Sequence, residues 1–277
     1  MFPVSLRRKT KLVACGWWHT VVVLSADSDI NSADEVFSWG SNDYKQLGRS
    51  GDAEEKAVDM SVRITDLHLQ LQVRSIACGW KHSLLATVQG EVFSWGSGRH
   101  GQLGLGNDLL QTNCPKRIDA LKDTTVANVF CGWEHSVFRS VSEEVFTCGN
   151  NRHGQLGVEQ TPAKEVAGVK RKQVNALPIQ VMDASDDTAS LRAVQLDCGW
   201  HFVLCLTDSR ELVAWGKGSH GQLGLGVFEN ASRPQLLPFS HIVRQIACGS
   251  EHSMVVTDSG DLYTCGWGEH GNLGTLL

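Results

Sequence analysis

The 277-residue chain is 42% apolar and 20% charged, with a net charge of −5. That length and apolar content suit one large domain, and the acidic balance argues against nucleic acid as a partner held by bulk charge. No run approaches the roughly 18 apolar residues of a membrane-spanning helix, and the basic start lacks the apolar core of a secretory signal.

Along the chain, two phrases alternate. The first, Cys-Gly-Trp-x-His or a variant, begins at Cys15, Cys78, Cys131, Cys198 and Cys248, with spacings of 63, 53, 67 and 50 residues. The second, Trp-Gly followed by Gly-Gln-Leu-Gly, begins at Trp39, Trp95, Cys148, Trp215 and Cys265. The two start 17 residues apart in every unit but the first, where an insertion at Ser25 to Asp34 makes the distance 24. A fixed core with variable connections describes a rigid structural repeat joined by tolerant loops.

The units span about 3–48, 62–104, 115–157, 178–224 and 234–274, within a single domain of residues 1–277. The second unit shows the expected elements: strands at Val73 to Cys78, His82 to Val88 and Glu91 to Trp95, with a tight turn at Gln89-Gly90. A proline-led segment such as Pro115 to Ile118 supplies an outer strand, where a missing N–H is tolerated. The only helical candidate is Gly51 to Met60. Lys45 and Ser142-Glu143-Glu144 stand where other units carry a turn glycine, so looser turns are expected there. The fold class is therefore all-β: a β-propeller of four-stranded blades, five of them visible.

These phrases and their spacing resemble the regulator of chromosome condensation repeat family, over nearly the whole chain from about Pro3 to Gly274. The resemblance implies a propeller whose usual ring has seven blades. The chain is thus expected to be a truncated propeller, with a closed five-bladed ring as the alternative. The last repeats look like those of the secretion-regulating guanine nucleotide exchange factor and yeast alpha-tubulin suppressor branch.

Nine cysteines is an odd count, and five of them recur at one repeat position. They are read as reduced and structural, which suits the cytoplasm or nucleus. Arg7, Arg8, Lys9 and Lys11 are read as a solvated turn, with a nuclear-localisation patch as the alternative. The Cys-x-x-x-His spacing superficially invites zinc. One such pair per separate blade would not converge on a metal, and Phe202 occupies the histidine slot of the fourth unit. The histidines are instead expected to bond the backbone of their own or the next blade. No phosphate loop, nucleophile elbow or dinucleotide motif is present, so no catalytic residue, cofactor or metal is assigned.

The candidate partner-binding residues are Trp17, Trp80, Trp133 and Trp200, expected as a ring of aromatics near one face, and Lys170, Arg171 and Lys172. The latter three lie in a long connection at 158–189. The bland alternatives are packing at the blade ends and a solvated insertion. The tryptophans also resemble those of the plant ultraviolet-B photoreceptor branch, but no copy here keeps the arginine of its Gly-Trp-Arg-His-Thr motif. The leading function is a protein-binding platform, in its specific form a regulator or exchange factor for a small GTPase. A non-catalytic scaffold in a chromatin, ubiquitin-ligase or translation-related complex is the rival.

Overall fold

A computed structural model describes residues 8–26, 33–49, 57–64, 71–159, 174–183, 186 and 188–274. It contains five antiparallel sheets, four of four strands and one of three. The first blade holds β1 (Thr10–Cys15), β2 (His19–Leu24), β3 (Glu35–Ser41) and β4 (Ala57–Arg63). The second holds β5 (Val73–Cys78), β6 (His82–Thr87), β7 (Val92–Ser97) and β8 (Gln111–Arg117). The third is β9 (Val126–Cys131), β10 (His135–Ser140), β11 (Val145–Asn150) and β12 (Val174–Gln180). The fourth is β13 (Ala193–Cys198), β14 (Phe202–Thr207), β15 (Leu212–Gly216) and β16 (Ala231–Leu236). The fifth is β17 (Val243–Cys248), β18 (His252–Thr257) and β19 (Leu262–Gly266).

Each blade is an up-and-down meander, with neighbours in the sheet also neighbours in sequence. The strands of the second blade fall where the sequence places them. Pro115, Pro178 and Pro234 all lie in outermost strands, each beside a break in pairing register. Two expectations are corrected. Residues 57–60 of the helical candidate belong to β4, because tertiary pairing overrides a weak local preference. Residues 174–180, inside the expected connection at 158–189, are the third blade's outer strand.

The apolar cores lie between blades. Val21 and Val23 of the first blade pack with Val73, Leu85 and Trp95 of the second. Leu84 and Ile118 of the second pack with Val129, Phe138 and Cys148 of the third. A larger cluster joins Val137 through Phe202, Leu204 and Trp215 to Val243 and Val255. Strands β6 and β14 are accordingly buried at every residue, since both faces of their sheets are covered. Leu47, Leu103, Leu156 and Leu223 of the second phrase are fully buried, as anchors between blades would be, whereas Leu273 of the fifth unit is only half-buried.

Turns without glycine keep their geometry. Lys45, Glu143 and Arg210 adopt left-handed backbone with φ of 63°, 69° and 69°. The expected loosening is therefore absent, and the strain of a Cβ in this region is borne in place, at about 1 kcal/mol per residue.

Candidate functional site

The two phrases build a repeated latch at each blade junction. In the second phrase, the glutamine side chain folds back to accept the N–H two residues earlier, at 2.8–2.9 Å in four units. That fixes the glutamine carbonyl so that it faces the following blade. Trp95 Nε1 donates to Gln46 O at 2.9 Å, and Trp215 Nε1 to Gln155 O at 3.1 Å. Where cysteine replaces the tryptophan, Cys148 and Cys265 direct their thiols to Gln102 O and Gln222 O at 3.7 and 3.8 Å.

The first phrase supplies the other half. The glycine after each cysteine leaves room for the histidine ring: a Cβ on Gly79 or Gly132 would collide with His82 or His135. His19 Nε2 then meets Ser83 Oγ of the next blade at 2.8 Å, and His82 Nε2 meets Ser136 Oγ at 3.0 Å. The serines donate onward to Gln46 O and Gln102 O, at 3.1 and 2.7 Å. The partners are thus serine hydroxyls rather than the expected backbone groups. Burial lowers the His19 pKa to about 4 and the His82 and His135 pKa values to about 3, so all three are neutral at physiological pH.

Inside this lattice the five repeat-related cysteines and their glycines line a central cavity of about 270 Å³. All nine cysteines are free thiols. Burial pushes Cys78 up to about 12 and holds Cys131, Cys198 and Cys248 well above the ordinary thiol range. Protonated thiols are poor nucleophiles and poor metal ligands, and among the described residues no group of three or more His, Cys, Asp or Glu could hold a metal.

At one mouth of the cavity the four candidate tryptophans come together. Trp133 is the hub, with ring centroids 4.6 Å from Trp80, 4.3 Å from Trp200 and 5.0 Å from Trp17. Trp17 also lies 5.3 Å from Trp200. Backbone bonds hold the arrangement: Trp80 N–H donates to Trp133 O, Trp133 N–H to Trp200 O, and Trp200 N–H to Ser250 O. The cluster is therefore largely self-packed, but Trp17 and its neighbour Trp18 remain 47% and 52% exposed. The sequence reading did not select Trp18, whose place in other units is taken by Lys81, Glu134, His201 and Glu251.

That variable position faces the residue three before the Leu-Gly of the preceding blade, and each pair differs in chemistry. Lys81 Nζ sits 3.8 Å from the centre of the Tyr44 ring and 3.3 Å from that of Trp80. His100 Nδ1 pairs with Glu134 at 3.1 Å. The His153 and His201 rings meet at a tilt of 43° with centroids 5.2 Å apart. His220 Nδ1 pairs with Glu251 at 3.2 Å. One face thus carries exposed aromatics at its centre and a rim of mixed charge. Lys170, Arg171 and Lys172 lie outside the described residues.

The RCC1-like domain family matches residues 2–276. The chain belongs to that family. It is 30% identical over 229 residues to the ultraviolet-B receptor UVR8 of Arabidopsis thaliana, covering 83% of this chain and 46% of the receptor. It is also 30% identical to the probable E3 ubiquitin-protein ligase HERC4 of Homo sapiens, covering 80% of this chain and 19% of the ligase. The chain therefore spans less than half the length of these relatives. Among solved structures, human WBSCR16 superposes with a TM-score of 0.79 at 24% identity, covering 96% of this chain and 64% of that one. Prp20p of Saccharomyces cerevisiae gives 0.72 at 24% identity, covering 93% and 57%. This RCC1-like chain contains no helix, among its described residues, long and apolar enough to cross a membrane.

Proposed function

We propose that this RCC1-like chain is a protein-binding platform, and that the face bearing Trp17, Trp18, Trp80 and Lys81 receives the partner. The carrying observation is the exposure of two adjacent tryptophans, Trp17 and Trp18, over a rigid aromatic cluster. Buried tryptophan anchors dominate many interfaces, and rigid rings lose little entropy on docking. Lys81, held over two aromatic rings, adds a fixed cation beside them.

The specific reading is regulation of, or nucleotide exchange on, a small GTPase. Support comes from the relatedness to Prp20p, whose binding properties to Gsp1p and histones are described together with its structure. An exchange factor needs no catalytic set. It works by binding the nucleotide-free state more tightly than the loaded one. The lack of a convergent catalytic group among the described residues is compatible with this and equally with a scaffold. The HERC ligases, which carry the same domain within longer chains, favour the scaffold as the second reading.

The test is release of a fluorescent guanine nucleotide from a panel of purified small GTPases. Accelerated release from one member, abolished by Trp17→Ala with Trp18→Ala, supports exchange. A complex of equal affinity with loaded and empty GTPase, or binding only to other proteins, supports the scaffold and removes the exchange reading.

A further inference from the structure

The blade junctions serve as controls for one another, and one of them is short of an acceptor. Between the fourth and fifth blades, buried Glu251 accepts from three donors of the fourth blade: Gln222 Nε2 at 2.7 Å, Lys217 Nζ at 2.8 Å and His220 Nδ1 at 3.2 Å. Between the third and fourth blades, the place of Glu251 is held by His201. Gln155, the counterpart of Gln222, is 0% exposed, and its Nε2 has no hydrogen-bond partner among the described residues. His201 Nδ1 is likewise buried without a partner among those residues. His153, the counterpart of His220, meets the His201 ring.

The surroundings are cationic. Arg152 and Lys217 act on both imidazoles, opposed by Glu251, which Lys217 already neutralises. Burial is the main cause lowering both histidine pKa values, that of His201 to about 4, and each of these positive groups lowers them further. On the outer side of His153 lies an open cavity of about 360 Å³, lined also by Arg152, Gly154, Glu159, Asn230 and Ser232. The carboxylate there, Glu159, is turned to Arg233 at 3.6 Å. A buried amide N–H without an acceptor is destabilising, so the junction gains from any acceptor that reaches it.

We propose that the junction of the third and fourth blades is a carboxylate-binding site. Gln155 Nε2, His153 and His201 hold a carboxylate supplied from outside, as Gln222, His220 and Lys217 hold Glu251 one junction further on. Arg152 provides the charge at the entrance. The site lies in the rim of the tryptophan face, with the His201 ring 6.2 Å from that of Trp133, and needs no GTPase. A bound carboxylate favours the imidazolium forms of His153 and His201, so binding takes up protons and tightens as pH falls toward the histidine pKa values.

The experiment follows the histidine side-chain nitrogens of the whole chain by NMR, during titration with sodium acetate against sodium chloride at matched ionic strength. The expected result is a saturable shift of His153 and His201 with acetate, larger at the lower pH and absent with chloride. In His201→Glu, which supplies an internal carboxylate as Glu251 does, His153 should no longer respond. Thermal stability without acetate should equal or exceed that of the parent chain. If His201→Glu does not fold by circular dichroism, His153→Gln is read instead, and its His201 response to acetate should weaken several-fold. A blocked glutamyl peptide binding more tightly than acetate identifies an acidic side chain as the occupant, and equal binding identifies a free carboxylate. No saturable shift in the parent chain, an unchanged response in His201→Glu, or a response to inorganic phosphate alone would overturn the proposal.

Discussion

His82 Nε2 lies 3.0 Å from Ser136 Oγ across the second junction, whereas one blade on Val203 stands in the place of the serine, and His135 has no partner on either ring nitrogen among the described residues. The fourth blade has exchanged the His-Ser pair of the repeat for Phe202-Val203, both fully buried. Phe202 fills the space over Gly199 that histidine fills elsewhere. His135 therefore keeps a polar ring in an apolar junction.

His135→Phe should consequently stabilise the chain or leave it unchanged, by up to about 2 kcal/mol, since it removes an unsatisfied buried group. His82→Phe should destabilise it by about 1–3 kcal/mol, because the buried His82–Ser136 bond is lost and Ser136 keeps only Gln102 O. Urea unfolding of the two variants checks the difference. Equal effects would mean that the Ser136 bond contributes nothing.

Stability should fall on mild acidification. His19, His82 and His135 have folded pKa values of about 4, 3 and 3, below the ordinary 6.5. A base with a depressed folded pKa takes up its proton first in the unfolded state. The stabilisation is thus full above about pH 6.5 and is lost as pH falls toward the folded values, at up to about 1.4 kcal/mol per pH unit for each histidine. Melting temperature measured from pH 7.5 to pH 4.5 should drop steeply below about 6.5, and less steeply in His135→Phe.

Glu143 and Arg210 hold left-handed turns in the third and fourth blades, where Gly90 and Gly260 serve the second and fifth. Glu143→Gly should raise stability by about 0.5–1 kcal/mol, the relief of left-handed strain exceeding the added freedom of the unfolded chain. The pairing of β10 with β11 is already in regular register, so the gain should appear without any change in spectroscopic signature.

Trp133 touches Trp17, Trp80 and Trp200, while Trp18 makes an edge contact with Trp17 alone among the aromatic rings described. Trp133→Ala should cost about 2–4 kcal/mol of folding stability, and Trp18→Ala less than about 0.5 kcal/mol. Thermal melts monitored by circular dichroism separate the two.

Architecture was readable because each repeat states the same local rules several times. Alternating strands, the turn at Gln89-Gly90 and the outer-strand prolines needed only period and proline chemistry. The glycine of Cys-Gly-Trp-x-His was visible as a motif, but its reason was not. Only the fold shows that the His82 ring packs against Gly79. Meeting of the tryptophans could be expected from their equivalence, yet their mutual packing depends on the radius at which the inner strands sit. The junction pairs were hidden for the same reason. Lys81 and Tyr44, or His153 and His201, are far apart in sequence and meet only where one blade abuts the next. The helical reading of Gly51 to Met60 failed over 57–60 because strand pairing with β3 outweighs local propensity.

The most direct test of the partner-face account is comparative affinity capture from extract, using the parent chain, Trp17→Ala/Trp18→Ala, and a control pair on a distant surface, Leu236→Ala/Leu262→Ala. All three should show unchanged circular dichroism. The account predicts a defined set of proteins retained by the parent and the control but lost by the tryptophan variant. Retention by the tryptophan variant with loss by the control would contradict it and move the partner site away from the Trp17–Trp18 face.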